Sequence, residues 1–350
     1  HLPGGMLRRS MLDPMKYATK GTMVGAEQLL RDDCDWAVNL SGGYHHAKKD
    51  QGQGFCALAD IPLAIHRIRQ DEPNAKFLIV DLDNHRGDGH EEIFQGDNMV
   101  DVFDMYDDQN FPYGHKKSIK KGQIRFPHAL QPSATTEAYL QVLRRGSEGT
   151  PGLAEAIGRS APDFIIYNAG TDPFEGDSLG RLDVSAEGLV RRDEIVFEEA
   201  QKRGAKVLMV LSGGYSSESA GIISLSVANI LKKKMGDDAF KRMLDGHKKR
   251  LRRRRFFGAT ASGLSTAGAI LAGYLLYKKL AKNDETLRSS IKKNGVWKTI
   301  KSHPRHFAAM GAGLFCSVLG AFYTARQHGY LGEQEKFLGE YDSFRKAFPG

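Results

Sequence analysis

The sequence predicts an α/β fold, a parallel sheet covered by helices on both faces, with a helical hairpin appended at its C-terminus. Three observations carry this. Short, almost wholly apolar runs alternate with helix-period segments through residues 20–235, the alternation expected of strands buried on both faces between covering helices. Each run stops in polar, ionisable or glycine residues. Charge is divided: residues 247–350 hold 20 Lys and Arg against 6 Asp and Glu, a balance of +14 in a chain of +8, which leaves residues 1–246 at −6.

The strand candidates are Trp36–Leu40, Phe77–Leu82, Val100–Phe103, Phe164–Tyr167 and Val207–Leu211. Helical spacing of apolar residues places helices at about Val24–Arg31, Ala57–Gln70, Thr136–Arg144, Ala186–Lys202 and Ser217–Lys232,. Residues 107–134 show no period and carry Pro112, Pro127 and Pro132, so they read as long loops,. No internal repeat is present. Length permits one large domain and an added module. The three cysteines, Cys34, Cys56 and Cys316, are odd in number and far apart, which argues against a disulfide framework and for a reducing compartment. The body has no interleaved basic and aromatic patch, so no direct nucleic-acid binding is expected.

The residues at the end of each strand point to chemistry. After Leu40 comes Ser-Gly-Gly-Tyr-His45-His46; the second run leads into Asp81, Asp83 and His85; Asp104 succeeds Phe103; Asn-Ala-Gly-Thr-Asp172 succeeds Tyr167; Ser-Gly-Gly-Tyr215 succeeds Leu211. In an open parallel sheet, ligands bind at the carboxyl ends of the strands. Positions 81, 83 and 85 of an extended segment point to one side. Asp83 and His85 can thus share a metal ion with Asp172, leaving positions open for water and substrate, as at a catalytic zinc site; iron suits the same donors. Taken alone, Asp-x-His is a weak signal, since most such pairs are surface or capping residues. His45 and His46 need partners that fix their tautomers, and Asp81 and Asp88 can each accept a hydrogen bond from one imidazole. Tyr215 comes after two glycines and is either an exposed turn residue or a donor to an oxyanion opposite the metal. Phe55, in Gly52-Gln53-Gly54-Phe55-Cys56, is either a pocket wall or an ordinary core residue.

Taken together, "GGYHHAKKDQGQGFC" (42–56), "VDLDNHRGDGHEE" (80–92), "NAGTDPFEGDSLGRL" (168–182) and "SGGY" (212–215) resemble the zinc-dependent histone deacetylase family, in order and spacing, over roughly residues 20–235. The last two blocks, particularly the third extended to Tyr167, look most like the class IV branch typified by histone deacetylase 11 and its bacterial relatives. The resemblance implies a three-layer arginase/deacetylase-like fold. It implies Asp83, His85 and Asp172 as Zn2+ ligands, His46 as general base and acid paired with Asp88, and His45 paired with Asp81. It further implies Tyr215 as oxyanion donor, Gly54 and Phe55 as substrate-channel wall, and a structural K+ near Asp81–His85 with Asp104 close by. The expected activity is hydrolysis of acyl-lysine amides on a protein or peptide, with long fatty acyl groups favoured in class IV. Small acyl-amines of the acetylpolyamine type, or a membrane-anchored binding protein with a decayed site, are the alternatives. Family members carry further residues ahead of the segment matched here, so residues 1–246 read as a catalytic domain lacking the N-terminal part of the fold.

Residues 247–350 form the second region. Phe256–Tyr277 and Phe307–Ala325 contain no charged residue over 22 and 19 positions, each long enough to span a hydrocarbon core of about 30 Å as a helix. Cations flank both, and Gly258, Ser262 and Thr266 recur every four residues, as do Gly268 and Ala272, spacing that lets helices approach closely in lipid. The expectation is a transmembrane hairpin, with membrane lipid as partner and the catalytic domain facing the cytosol. A soluble helical hairpin, cytoplasmic or nuclear, or a basic hairpin lying on anionic lipid, are the alternatives.

Overall fold

The computed structural model describes residue 5, residues 8–113 and residues 125–246. The chain divides into two compact units, His1–Lys234 and Met235–Gly350. The runs 256–277 and 307–325 lie outside the described residues; among those described, no helix is long and apolar enough to cross a membrane.

The first unit is built on a six-stranded sheet. Its strands are β1 (Trp36–Val38), β2 (Phe77–Asp81), β3 (Val100–Asp107), β4 (Phe126–Leu130), β7 (Phe164–Asn168) and β8 (Lys206–Val210). β5 (Gly146–Ser147) and β6 (Thr150–Pro151) form a separate antiparallel ribbon beside β4, where Ser147 meets His128 at 2.8 Å. The order is β1-β8-β7-β2-β3-β4, and every pairing in the sheet is parallel. Strand side chains alternate between faces, and β2 shows the consequence. Phe77 and Ile79 join Ile61, Ile65 and Ile68 of α2 (Asp60–Asp71) and Ala26 and Leu29 of α1 (Asp13–Leu29). Leu78 and Val80 join Tyr139 and Leu143 of α4 (Thr136–Arg145), Leu153 and Ile157 of α5 (Leu153–Ser160) and Leu189 and Val196 of α6 (Ala186–Lys202). Helices thus cover both faces, giving three layers. Other described helices include α3 (Asp88–Ile93) and α7 (Ser219–Met235).

Several predicted boundaries change. Residues 107–134 are not all loop: β4 runs through Pro127 and pairs with β3. It is the last strand of the sheet, where a residue with no N–H to donate is tolerated. Helix α1 begins at Asp13 rather than Val24, with Pro14 in its first turn, a position where the missing N–H costs nothing. Strand β3 extends to Asp107, and two short helices, α3 and α5, add to those expected. Helix α6 spans the expected residues, and Ser185 caps it by accepting from the Gly188 N–H.

Register prepares the site. Asp81 pairs with Asp104 on one side and Asn168 on the other, so three polar residues stand in one row at the carboxyl edge of the sheet.

Candidate functional site

The loops leaving β1, β2, β7 and β8 converge at that edge. The Gly42–His46 turn is anchored by Asp60, wholly buried at the start of α2. Its carboxylate accepts from the N–H of Gly43 at 3.0 Å, the N–H of Tyr44 at 2.8 Å and the Thr22 hydroxyl at 2.6 Å. Removing this buried acceptor strands the Gly43 and Tyr44 N–H groups, while the Thr22 hydroxyl keeps only the Ala18 carbonyl at 3.3 Å. Asp60→Ala is expected to cost about 3 kcal/mol, read as a lower urea midpoint with unchanged m, and to loosen the turn that carries both histidines.

His45 and His46 come directly after that turn, and each meets one carboxylate. His45 Nδ1 is 2.9 Å from Asp81, and His46 Nδ1 is 2.7 Å from Asp88. The Asn168 amide also donates to Asp81, at 2.8 Å, and Gln53 donates to Asp88. The rings of His45 and His46 are 4.0 Å apart, and their proton affinities diverge. Burial works against charge on His45, but Asp81 and Asp83 outweigh it and raise its pKa to about 10. Burial and the charge on His45 together lower His46 to about 4. At neutral pH the pair is therefore one imidazolium beside one neutral imidazole, and the neutral ring is the one able to accept a proton.

Asp83, His85 and Asp172 are buried, and their ligand atoms lie within 4.8 Å of one another. His85 Nδ1 is 2.9 Å from Asp172 and 3.1 Å from Asp83. Asp83 Oδ2 accepts from the Ser212 hydroxyl and the Gly213 N–H, each at 2.8 Å, and Asp172 Oδ1 accepts from the Asn84 N–H at 2.9 Å. Burial and the nearby Asp83 charge raise the Asp172 carboxyl to about 7. Two carboxylates pressed together out of water with one imidazole between them form a donor set that a divalent cation fits and neutralises. A Cβ on Gly170 would stand 2.6 Å from Asp83 and 2.9 Å from Asp172, so only glycine lets the backbone pass this close.

The rim is apolar. Gly54 lies against His46, where a Cβ would meet the imidazole at 2.4 Å. Phe55 has φ of 61°, a strained conformation for a bulky side chain, and it is 68% exposed. Its ring is 6.2 Å from that of Tyr215, which is 41% exposed. Burial, with Asp83 and Asp172 nearby, holds the Tyr215 phenol well above its usual range, so it stays protonated. Asp104 lies beneath, accepting from the Gly87 N–H at 3.0 Å; burial and Asp81 raise its carboxyl well above the ordinary value.

Sequence reasoning missed several residues that complete this arrangement. Phe111, in a stretch without periodicity, packs edge-on against His46 at 4.9 Å. Asp177 accepts from Tyr215 N–H at 2.6 Å and Ser216 N–H at 3.1 Å with one oxygen, and from the Leu179 and Gly180 N–H groups at 2.9 Å with the other. Its place four residues after Pro173, in a turn-rich segment, was the only signal. His90 Nε2 lies 3.5 Å from Asp81.

Known proteins repeat this arrangement of sequence. Histone deacetylase 2 of Arabidopsis thaliana is 35% identical over 228 residues, 65% of this chain and 56% of that protein. An uncharacterized protein of Picosynechococcus is 36% identical over 199 residues, 57% of this chain and 62% of its own length. Histone deacetylase RPD3 of Saccharomyces cerevisiae is 32% identical over 203 residues, 56% of this chain and 44% of that protein. The matched segment thus spans 44–62% of the length of these relatives. The histone deacetylase domain model matches residues 4–231, the stretch that holds the whole sheet and every residue of the converging loops, and on that match the chain belongs to the histone deacetylase domain family.

Proposed function

We propose that this chain hydrolyses acyl-lysine amides with a bound divalent cation, and that it is of class IV type. The observation that carries the reading is the buried Asp83, His85 and Asp172 cluster beside two histidines that each hold a different carboxylate. Asp83, His85 and Asp172 hold the ion, Zn2+ by preference, with Fe2+ suited to the same donors. That ion, when bound, supplies Lewis acidity to the amide carbonyl and lowers the pKa of water. His46, neutral because burial and His45 hold its pKa down, accepts a proton from water and returns it to the departing lysine amine. Asp88 fixes the His46 ring by its hydrogen bond to Nδ1. Tyr215 donates a hydrogen bond from its phenol to the carbonyl oxygen as negative charge grows there. Gly54 and Phe55 form the wall along which an acyl-lysine stem lies. The unpartnered buried oxygen of Asp104 supports a K+ ion near Asp81–His85.

The test is hydrolysis of lysine peptides carrying acetyl or myristoyl by metal-loaded protein, with a chelated control. Chelator-sensitive release of lysine is the expected result, with myristoyl preferred. Release from acetylpolyamines alone would replace lysine by small amines as the substrate class, and no release with metal bound would reject the reading. Tyr215→Phe is expected to lower kcat by about 10²–10³, with metal content and Tm unchanged. Unaltered kcat would remove Tyr215 from the mechanism.

A further inference from the structure

Against the backbone that carries Asp83 and Asp172 lies an arginine with no place in the chemistry above. Arg192, in the middle of α6, is wholly buried. Burying a guanidinium is costly unless it is paired and hydrogen-bonded, and this one is built in on both sides. Its Nε donates to Asp193 at 2.7 Å. Asp193 in turn accepts from the Tyr167 hydroxyl, and from the Ser226 hydroxyl at 2.5 Å. On the other side, Arg192 Nη1 donates to the carbonyl of Gly170 at 2.5 Å and to that of Leu82 at 3.2 Å. Leu82 immediately precedes Asp83, and Gly170 lies two residues before Asp172. Gly170 is also the residue whose α-carbon faces both carboxylates, with no room for a Cβ. One nitrogen thus holds the two loops that deliver the two carboxylates, at a peptide close to each.

We infer that Arg192 is a positioning residue for the metal site, one that sets the spacing of Asp83 and Asp172 by holding the Leu82 and Gly170 carbonyls together. This rests on the metal reading above. Arginine suits the task because its planar fork reaches a carboxylate with Nε and two carbonyls with Nη1, while its charge is never lost. Lysine keeps the charge on a single nitrogen and cannot make the three bonds in the same directions. The anchoring pair Arg192–Asp193 lies on a helix rather than a loop, and rigid support of that kind is what keeps a ligand set in its productive geometry.

The experiment measures Co2+ and Zn2+ affinity of the purified full chain by chelator competition, together with the visible spectrum of bound Co2+ and the Tm of the metal-free protein. Arg192→Lys is expected to weaken metal affinity by about 10–100-fold, the loss typical when a group orienting a metal ligand is removed, and to alter the Co2+ spectrum. Ser226→Ala loosens Asp193 from its far side and serves as the stability control: a lower Tm with parental metal affinity and spectrum. If Arg192→Lys behaves like Ser226→Ala, Arg192 is packing alone and the inference fails. Should Arg192→Lys not fold, Asp193→Asn carries the test, because it keeps an acceptor for Nε while weakening the anchor; a smaller loss of affinity is expected, and parental affinity would reject the inference. A parent chain that binds neither ion overturns the metal reading itself, whereas a parent that binds and an Arg192→Lys that binds equally well overturns only the role of Arg192.

Discussion

Asp172→Asn is expected to abolish tight metal binding and to change how the metal-free fold responds to pH. The first effect comes from the donor set: Asp172 is one of two carboxylates around His85, and an amide oxygen carries no charge to offset a divalent ion. The loss of affinity is expected to exceed the ~10–100-fold that accompanies loss of an outer hydrogen-bond partner, and chelator-sensitive hydrolysis falls with it. The second effect comes from linkage. Burial and Asp83 raise the folded carboxyl to about 7, while in the unfolded chain it ionises near 3.9. Between those values the folded protein holds a proton that the unfolded chain has released. This contribution is complete below pH about 4 and is lost as pH rises toward 7. The amide that replaces the carboxyl has no proton to lose. Urea unfolding of the metal-free proteins between about pH 4 and 5.5 should therefore show the parent losing stability relative to Asp172→Asn as pH rises. In the folded parent Asp172 and Asp83 outweigh burial and raise His85 to about 10, but unfolded His85 begins to release its proton toward 6.5, so the comparison is read below about pH 5.5, where both states keep that proton. Parallel curves for the two proteins would mean the carboxylates are not crowded, and undiminished Zn2+ affinity would remove Asp172 from the ligand set.

How far the sequence spoke depended on whether a residue's role was local. The central strands were legible because both faces are buried, so Phe77–Val80 and Phe164–Tyr167 read as unbroken apolar runs. Strand β4 was not, because Phe126-Pro127-His128-Ala129-Leu130 mixes a proline and a histidine into five residues; only its pairing with β3 makes it a strand. The cluster at the carboxyl edge was legible as a set of residues, since a parallel sheet brings all its strand ends together. Which carboxylate meets which histidine came only with the family resemblance, because no local pattern sets His45 against Asp81 rather than Asp88. Arg192 was invisible for the opposite reason. In "GLVRRDEIVF" it reads as one more charge on a solvated helix face, yet it is buried while its neighbour Arg191 pairs with Glu194 at the surface. Nothing within α6 marks the difference. The carbonyls that Arg192 holds are 110 and 22 residues away in sequence.

His46→Gln is expected to lower kcat by about 10²–10⁴, the range for loss of a positioned acid–base group, with Zn2+ content unchanged, and the charge on its neighbour sets where the activity falls away in acid. Burial and the His45 imidazolium hold His46 at about 4, so the acid limb that His46 sets in kcat/KM should lie well below the 6.5 of an ordinary histidine. Asp81 is what keeps His45 charged, with Asp83, against the cost of burial. Asp81→Asn retains an oxygen for the Asn168 amide and for the Asp83 N–H, both of which donate to Oδ1, while removing the negative charge facing His45. His45 then loses its support and gives up its proton more readily. The repulsion on His46 is relieved, its pKa climbs toward 6.5, and the acid limb of the kcat/KM profile moves to higher pH. An acid limb that stays in place or moves down would show that His45 does not tune His46, and a His46→Gln variant with parental kcat would transfer the base role elsewhere. Two adjacent rings, given different carboxylates and unequal burial, are driven apart until one is always charged and the other is free to carry the proton.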